Sequence, residues 1–553
     1  MLLILSVVGC QDTVRPATDR RELGQIAAAY LCGNRFELRN LSPSARVLHY
    51  SVAGTGDWGD VVLPAGSETD PSVTQLTTLA RGPLTLSSDE EEGTPVPNGA
   101  TGCPALALAQ PQATAGEWSA PFPWPVVAVH LHLLPSGRVL SWGRIGTPQV
   151  FDLASEAFTP VPSATMLFCS GHTFLADGRL LVSGGHLDDR RGLRDANAFD
   201  PITEIWTRLE GMSFARWYPT ATMLADGTVL SIAGTDERAV DVETPEVWTG
   251  NAWRSLDGAK RTLPFYPRTF LAPNGLVFYA GELQQSAYLD PSGPGEWTPG
   301  AKSNYGRRDY GSAVMYQPGK VMIVGGSDPP DGRPTNTAEV IDLNADQPVW
   351  GYTGAMRYAR RQLNATLLPD GQVLVTGGTS ASGFSDRTGA VHVAEVWNPA
   401  TGQWRVQAAN RVVRVYHSTT LLLSDGRILH AGSGDGPGLP RELNAEIFSP
   451  PYLFLGPRPV LGRAPSQVGY GQTFEVVTPD AAAVIRVTLV RLGSVTHAFD
   501  QSQRFAELSF RRVAGGLSVQ APAASTVAPP GPYLLTLLND AGIPSVSTIT
   551  RIQ

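Results

Sequence analysis

A chain of 553 residues is too long for one ordinary domain and has room for about three or four, or for one large closed β-architecture beside smaller modules. Apolar residues make up 42% and charged residues 17%, with 58 Gly and 45 Pro, which is a globular composition with many tight turns. A net charge of −8 weighs against a nucleic-acid partner, because binding phosphate needs a basic surface.

Residues 1–24 read as a lipoprotein-type signal and linker. MLLILSVVGCQ is a short apolar run ending in Val-Val-Gly-Cys, the pattern of a bacterial lipoprotein signal whose cleavage leaves Cys10 as the lipidated first residue. This predicts an exported protein, either a lipoprotein at the cell envelope or secreted. The run is too short for a retained transmembrane helix, and no later stretch is long and apolar enough to span a bilayer. Residues 25–115 carry the strand-like segments FELRNL, VLHYSV and DVVLPA and are expected to form a small N-terminal β module, with SSDEEEGTPVPNG as a polar loop. Cys32 and Cys103 bracket this segment, either as a disulfide or as two small buried residues. Cys169 stands alone, and a lone thiol in an oxidising compartment is a liability unless it is buried or used.

From residue 116 to residue 455 one unit recurs. PSGRVLSWG, ADGRLLVSGG, ADGTVLSIAG, PNGLVFYAG, QPGKVMIVGG, PDGQVLVTGG and SDGRILHAG place turn glycines at Gly137, Gly178, Gly227, Gly275, Gly319, Gly371 and Gly426, between 41 and 55 residues apart. Each turn supplies a positive φ, and the β-branched run after it reads as a strand. A second hairpin follows, usually ending in an aromatic residue such as Trp206, Trp253, Trp297, Trp350 or Trp404. Each unit is then a four-stranded sheet of kelch length, and the fold class is all-β, a seven-bladed kelch-type β-propeller rather than an array of sandwiches. Residues 456–553 read as short strands between Gly- and Pro-rich turns, an immunoglobulin-like β-sandwich.

Four motifs carry chemistry: FCSGHT with Cys169, ARWYPT with Tyr218, VYHSTT with Tyr416 and His417, and VTHAFDQSQRF with His497. A Cys, two Tyr and two His are an odd set for hydrolysis and a natural one for copper doing one-electron chemistry, since imidazoles suit copper and a phenolate can both ligate and give up an electron. In the first three motifs eight or nine residues separate the motif from the turn glycine, so the same strand of each blade presents its start at the same end of the ring. Successive strand residues face opposite ways, so Tyr416 and His417 share a metal only where the strand start bends or in the loop before it.

CSGHT, RWYPT, YHS and THAFDQSQRF, standing in this order with PPG and GIPS near the end, resemble the copper radical oxidases, the galactose oxidase and glyoxal oxidase group, over about 430 residues. The resemblance implies a metal site of Tyr218, Tyr416, His417 and His497, with Tyr218 joined to Cys169 by a self-processed thioether. It implies that Tyr416 is the axial ligand and that His497 arrives on a loop of the C-terminal domain reaching through the ring. The implied cofactors are one copper ion and the Cys–Tyr radical. On this resemblance Tyr416 would take the substrate hydroxyl proton, the Tyr218 radical would take hydrogen from the carbon, copper would take the other electron, and dioxygen would leave as hydrogen peroxide. The implied partners are a small aldehyde or alcohol and O2; the signal segment adds the expectation of a lipid anchor to the membrane.

Departures from galactose oxidase narrow the substrate. Its stacked tryptophan, eighteen residues after the cross-linked tyrosine, falls on Asp236, and its sugar-contacting arginine falls on Thr262. RWYPT and FYPR are closer to the glyoxal oxidase branch and its bacterial members, so small aldehydes or primary alcohols are expected rather than hexoses. An aromatic from elsewhere then has to shield the radical. The N-terminal hundred residues do not resemble the sugar-binding module of galactose oxidase. Arg268 in FYPRTF and Asp236 are the candidate substrate contacts. His172 is expected either to hold a ligand in place or to be structural; His130 and His132 read as blade packing, and His186, His392 and His430 show no ligand spacing. The rival readings are a non-catalytic kelch propeller binding at the cell surface, with neither copper nor cross-link, and an inactive relative that keeps only the metal.

Overall fold

In a computed structural model the described residues are 26–32, 35–52, 57–67, 72–77, 84–87, 111–436 and 438–553. Cys10, Cys103 and the signal segment lie outside them, and with them the lipid and disulfide expectations. The chain divides into two compact units, Met1–Thr114 and Ala115–Gln553. Among the described residues no helix is long and apolar enough to cross a membrane.

In the first unit, strands Ile26–Cys32, Arg35–Asn40 and Ser72–Thr77 form one antiparallel sheet, and Arg46–Val52, Asp57–Leu63 and Leu84–Ser87 form another. Both sheets supply one apolar core that includes Phe36, Leu38, Leu48, Leu63 and Leu84.

In the second unit, seven antiparallel sheets of the repeat type follow in chain order among the described residues. Their first strands are His130–Leu133, Gly171–Phe174, Thr220–Met223, Thr269–Leu271, Ser312–Gln317, Asn364–Leu367 and Thr419–Leu422. The last of these lies against the first, which returns the series to its start. The seventh sheet takes its outer strand from the far end of the unit, where Trp118 pairs with Phe448 and Glu117 with Ser449. The repeated turns work as their residues require. Gly178, Gly227, Gly275, Gly371 and Gly426 all have φ between 84 and 94°, and the Asp or Asn before each accepts a hydrogen bond from the N–H after it. The outer-strand tryptophans explain themselves too: Trp206, Trp253, Trp297 and Trp404 donate their indole N–H to carbonyls of Val161, Glu210, Ala259 and Gly354 in the segments entering their sheets.

Four of the sheets share a buried ion pair that the sequence reading passes over. Arg216–Glu246, Arg308–Glu339, Arg360–Glu395 and Arg414–Glu446 lie at 2.9, 2.8, 2.5 and 3.2 Å. Each arginine sits just ahead of a first strand and also donates to a backbone carbonyl beyond the second strand, of Ala233, Gly325, Gly377 or Gly432. Each glutamate, on the third strand, accepts backbone N–H bonds from the loop leading to its arginine, as Glu395 does from Arg357 and Tyr358. The pair ties the entry loop to the sheet.

The last hundred residues form a five-stranded sheet (Gln467–Val468, Thr548–Ile552, Gly531–Asn539, Val484–Arg491, Phe505–Leu508) and a three-stranded one (Thr473–Val477, Gly516–Gln520, Phe510–Val513) over a common apolar core. Between Arg491 and Phe505 the chain leaves this sandwich as a hairpin, Ser494–Thr496 and Phe499–Asp500, which adds to the edge of the first sheet by pairing with strand His130–Leu133.

Replacing Arg360 with Met leaves Glu395 charged and alone in the interior. We expect a stability loss of about 3–5 kcal/mol, read as a lower denaturant midpoint at unchanged slope, and a smaller loss when both partners become apolar.

Candidate metal centre

One backbone position recurs at the site. Cys169, Tyr218, Tyr266, Tyr310, Gln362 and His417 each stand nine positions before a turn glycine, and all have positive φ, between 47 and 67°. This left-handed residue swings the chain out of strand geometry just before each first strand, so its side chain is not bound by the up–down alternation. The first sheet has Ala128 at this position and accepts the hairpin instead. At the hairpin tip His497 and Ala498 are both left-handed, with φ of 45° and 66°, the demand of a two-residue turn usually met by Asn-Gly.

The motif AFDQSQRF is the hairpin's anchor. Asp500 accepts N–H bonds from Ser494, Ser502 and Gln503. Gln501 Oε1 accepts from the backbone of His172 and Ala221, Gln503 bonds the backbone of Ala365 and Leu367, and Arg504 donates to Leu271 O. Ser312 Oγ donates to Ala498 O at 2.6 Å. The hairpin is thus held by the second, third, fourth, fifth and sixth sheets while pairing with the first.

The side chains of the sequence motifs meet. Tyr218 Oη lies 2.6 Å from Tyr416 Oη, 2.7 Å from His497 Nε2 and 3.5 Å from His417 Nε2. The other nitrogen of each imidazole is engaged: His417 Nδ1 with Gly434 O at 2.5 Å, where it can only donate, and His497 Nδ1 with Thr496 Oγ1 at 2.6 Å. This leaves His417 Nε2 unprotonated and facing the phenols, the tautomer a metal takes. Tyr416 and His417, on the bent entry loop, stack at 3.7 Å. Cys169 is fully buried in one cluster with Tyr218, Trp217 and Tyr266.

Burial pushes the Tyr218 phenol well above its ordinary value, as do Tyr416 and Cys169 beside it; burial also raises Tyr416 and the Cys169 thiol. Burial lowers His417 to about 3 and His497 well below its usual value. The site is a buried neutral cluster of two phenols and two unprotonated imidazoles. A cation there would pull the phenols toward phenolate, so the donor set fits a divalent copper ion.

Residues 147–452 match the family model described as Glyoxal oxidase N-terminus, and residues 458–552 match Galactose oxidase-like, Early set domain. The chain belongs to the galactose oxidase and glyoxal oxidase family of copper radical oxidases. It is similar to "Galactose oxidase" of Gibberella zeae, 30% identical over 81% of this chain and 72% of that protein. It is similar to "Aldehyde oxidase GLOX" of Vitis pseudoreticulata, 28% identical over 76% of this chain and 88% of that one. A solved structure described as "Novel fungal alcohol oxidase with catalytic diversity among the AA5 family, in complex with copper" superposes with a TM-score of 0.73 at 25% identity, covering 79% of this chain and all of that one. The cofactor of the copper radical oxidases is a copper ion with a protein-derived Cys–Tyr radical, and a non-catalytic propeller is not favoured.

The remaining candidates of the sequence lie as follows. Asp236 is outside the group: its carboxylate caps a turn, accepting from the backbone of Arg238 and Val240 and from the Arg238 guanidinium. Arg268 lines a cavity of about 380 Å³ that opens on Tyr218 and His497. Its guanidinium is committed, donating to the carbonyls of Tyr266 and Gly311 and lying 5.3 Å from the centre of the Phe499 ring. Trp217 lies flat on Tyr218, centroids 3.6 Å apart and planes within 3°, with its indole N–H donated to His186 Nδ1. The rule of nine positions before the turn glycine also picks out Tyr266 and Tyr310, which the motif reading omits; both line the cavity. His130 and His132 do more than pack. His130 Nε2 accepts the backbone N–H of Cys169, and its Nδ1 is 3.0 Å from His172 Nε2.

Burial raises the Asp500 carboxyl from 3.8 to about 6, against the three backbone N–H bonds that lower it. The folded state therefore holds this proton more tightly than the unfolded chain. Its stabilising contribution is complete below about pH 4 and is lost as pH rises through about 6. We expect Asp500→Asn to flatten this part of the stability profile, measured by denaturation at stepped pH.

Proposed function

We propose that Tyr218, Tyr416, His417 and His497 hold one copper ion, that Cys169 and Tyr218 join in a thioether, and that the protein oxidises small aldehydes or primary alcohols with O2, releasing hydrogen peroxide. The observation that carries this is the meeting of two imidazole Nε2 atoms and two phenol oxygens beside a buried free thiol. Copper, when bound, supplies a second one-electron acceptor and a Lewis-acidic position for the substrate oxygen.

The chain's own groups then divide the work. Tyr416, its Oη beside Tyr218 and its ring edge-on to Tyr310, takes the substrate hydroxyl proton as general base. Tyr218, with a thioether sulfur on its ring to lower its oxidation potential, takes the hydrogen atom from the substrate carbon as its phenoxyl radical. An aldehyde enters the same sequence as its hydrate, which offers both a hydroxyl proton and a C–H hydrogen. Trp217 covers one face of the Tyr218 ring and keeps water from it, the shielding that Asp236 cannot give.

The cavity supports a small, polar substrate. Phe265 and Leu263 form part of its wall, as do Glu282 and Arg307, which are paired with each other. Thr262, in the place of a sugar-holding arginine, is engaged with Glu243. We also read the protein as exported, with Cys10 as its lipid attachment point, on the strength of MLLILSVVGC.

Copper-loaded wild-type protein is expected to lose two hydrogens, about 2 Da, on intact mass, and Cys169→Ala to lose none. Tyr416→Phe is expected to keep its copper stoichiometry while kcat falls about 10²–10⁴-fold, measured as peroxide release on a panel of aldehydes and alcohols. Copper uptake with no mass change, or full activity in Cys169→Ala, overturns the reading.

A further inference from the structure

Cys169 is the one residue of the proposed site whose entry loop lacks the usual clamp. Tyr218 and His417 follow Arg216 and Arg414, each buried against a glutamate. Two positions before Cys169 stands Leu167, and Asn197 takes the strand position that Glu246 holds in the next sheet, opposite the second strand four residues after the turn glycine. Yet Cys169 is left-handed like the others and its thiol is fully buried. Something else has to fix it.

Both backbone groups of Cys169 are taken. Its C=O accepts from Tyr218 N–H at 2.8 Å. Its N–H donates 3.1 Å to His130 Nε2, from a ring that is wholly buried and stacked on Trp142. A backbone N–H can only donate, so His130 Nε2 carries no proton and its Nδ1 carries one. That N–H meets His172 Nε2 at 3.0 Å, and His172 Nδ1 in turn meets Ser494 Oγ at 2.6 Å. The tautomers of two imidazoles follow from one peptide group.

The chain of bonds ends on the hairpin. Ser494 pairs with His132, and Thr496, which holds His497 Nδ1, pairs with His130. One strand, His130–Leu133, therefore sets both the cysteine of the second sheet and the histidine that arrives from the C-terminal sandwich.

We propose that His130 is a positioning residue for the thioether, holding the Cys169 backbone so that the thiol meets the Tyr218 ring; this rests on the thioether reading above. In the step it serves, the S–H and a ring C–H ortho to the phenol oxygen break and one S–C bond forms. The two protons and two electrons released reduce one O2 to hydrogen peroxide. A misplacement of the sulfur by an ångström slows this without removing a reacting group.

The test follows intact mass against time after copper is added in air to metal-free full-length protein. His130→Leu is expected to reach wild-type copper stoichiometry and lose its two hydrogens about 10–100-fold more slowly. His130→Gln, whose Oε1 reaches the place of Nε2, is expected to recover most of the rate, which a merely space-filling role for the ring would not predict. Processing of His130→Leu at the wild-type rate overturns the inference alone. Copper uptake by wild type without mass loss overturns the thioether reading, and the inference with it. Should His130→Leu fail to fold, ¹⁵N-histidine spectra of metal-free wild type decide: His130 and His172 as Nδ1–H tautomers support the inference, and His130 as the Nε2–H tautomer overturns it.

Discussion

A residue forced into left-handed backbone at the mouth of a first strand is the constraint on which the site depends. The conformation costs an L-residue about 1–3 kcal/mol, and six sheets adopt it. The total is comparable with the whole stability of an ordinary domain, about 5–15 kcal/mol, so the fold must oppose relaxation locally. Buried Arg–Glu pairs do this in four sheets, each closing its entry loop against the sheet with backbone bonds from both partners. The return is directional freedom. A side chain released from strand alternation can turn toward its neighbours, and several such side chains meet.

The same geometry accounts for pairs of neighbours that act together. Adjacent strand residues face apart, yet Trp217 lies flat on Tyr218 and Tyr416 stacks on His417. In each pair the second residue has positive φ, which turns consecutive side chains to the same side. Oxidative chemistry in a protein interior needs a ring that reacts and a neighbour that protects it. On the reading proposed above, one dipeptide supplies both.

This bears on what was legible in the chain. The turn glycines, the outer tryptophans and the order of CSGHT, RWYPT, YHS and THAFDQSQRF were readable because they are local and periodic. Tyr266 and Tyr310 obey the same spacing as Tyr218 and were readable in principle; they lie in segments whose motifs are unfamiliar. Trp217 was hidden by the alternation rule, which fails where φ changes sign. His130 was hidden because its partner, the Cys169 N–H, lies in the next sheet. Asp236 was placed by analogy with a tryptophan, but a carboxylate followed by Arg238 and Val240 closes its own turn. Arg268 was placed near the cavity and lines it, with both terminal nitrogens donating to carbonyls.

The hairpin that carries His497 is made about seventy residues after the last turn glycine of the repeat, Gly426 being followed only much later by the Ser494–Asp500 segment and its sandwich. Until that segment is made, the donor set proposed above lacks His497. On that reading, copper loading and the peroxide that depends on it wait for the C-terminal sandwich. The order of residues along the chain would then act as a safety catch, sparing the compartment in which the protein is made from an oxidant released too early.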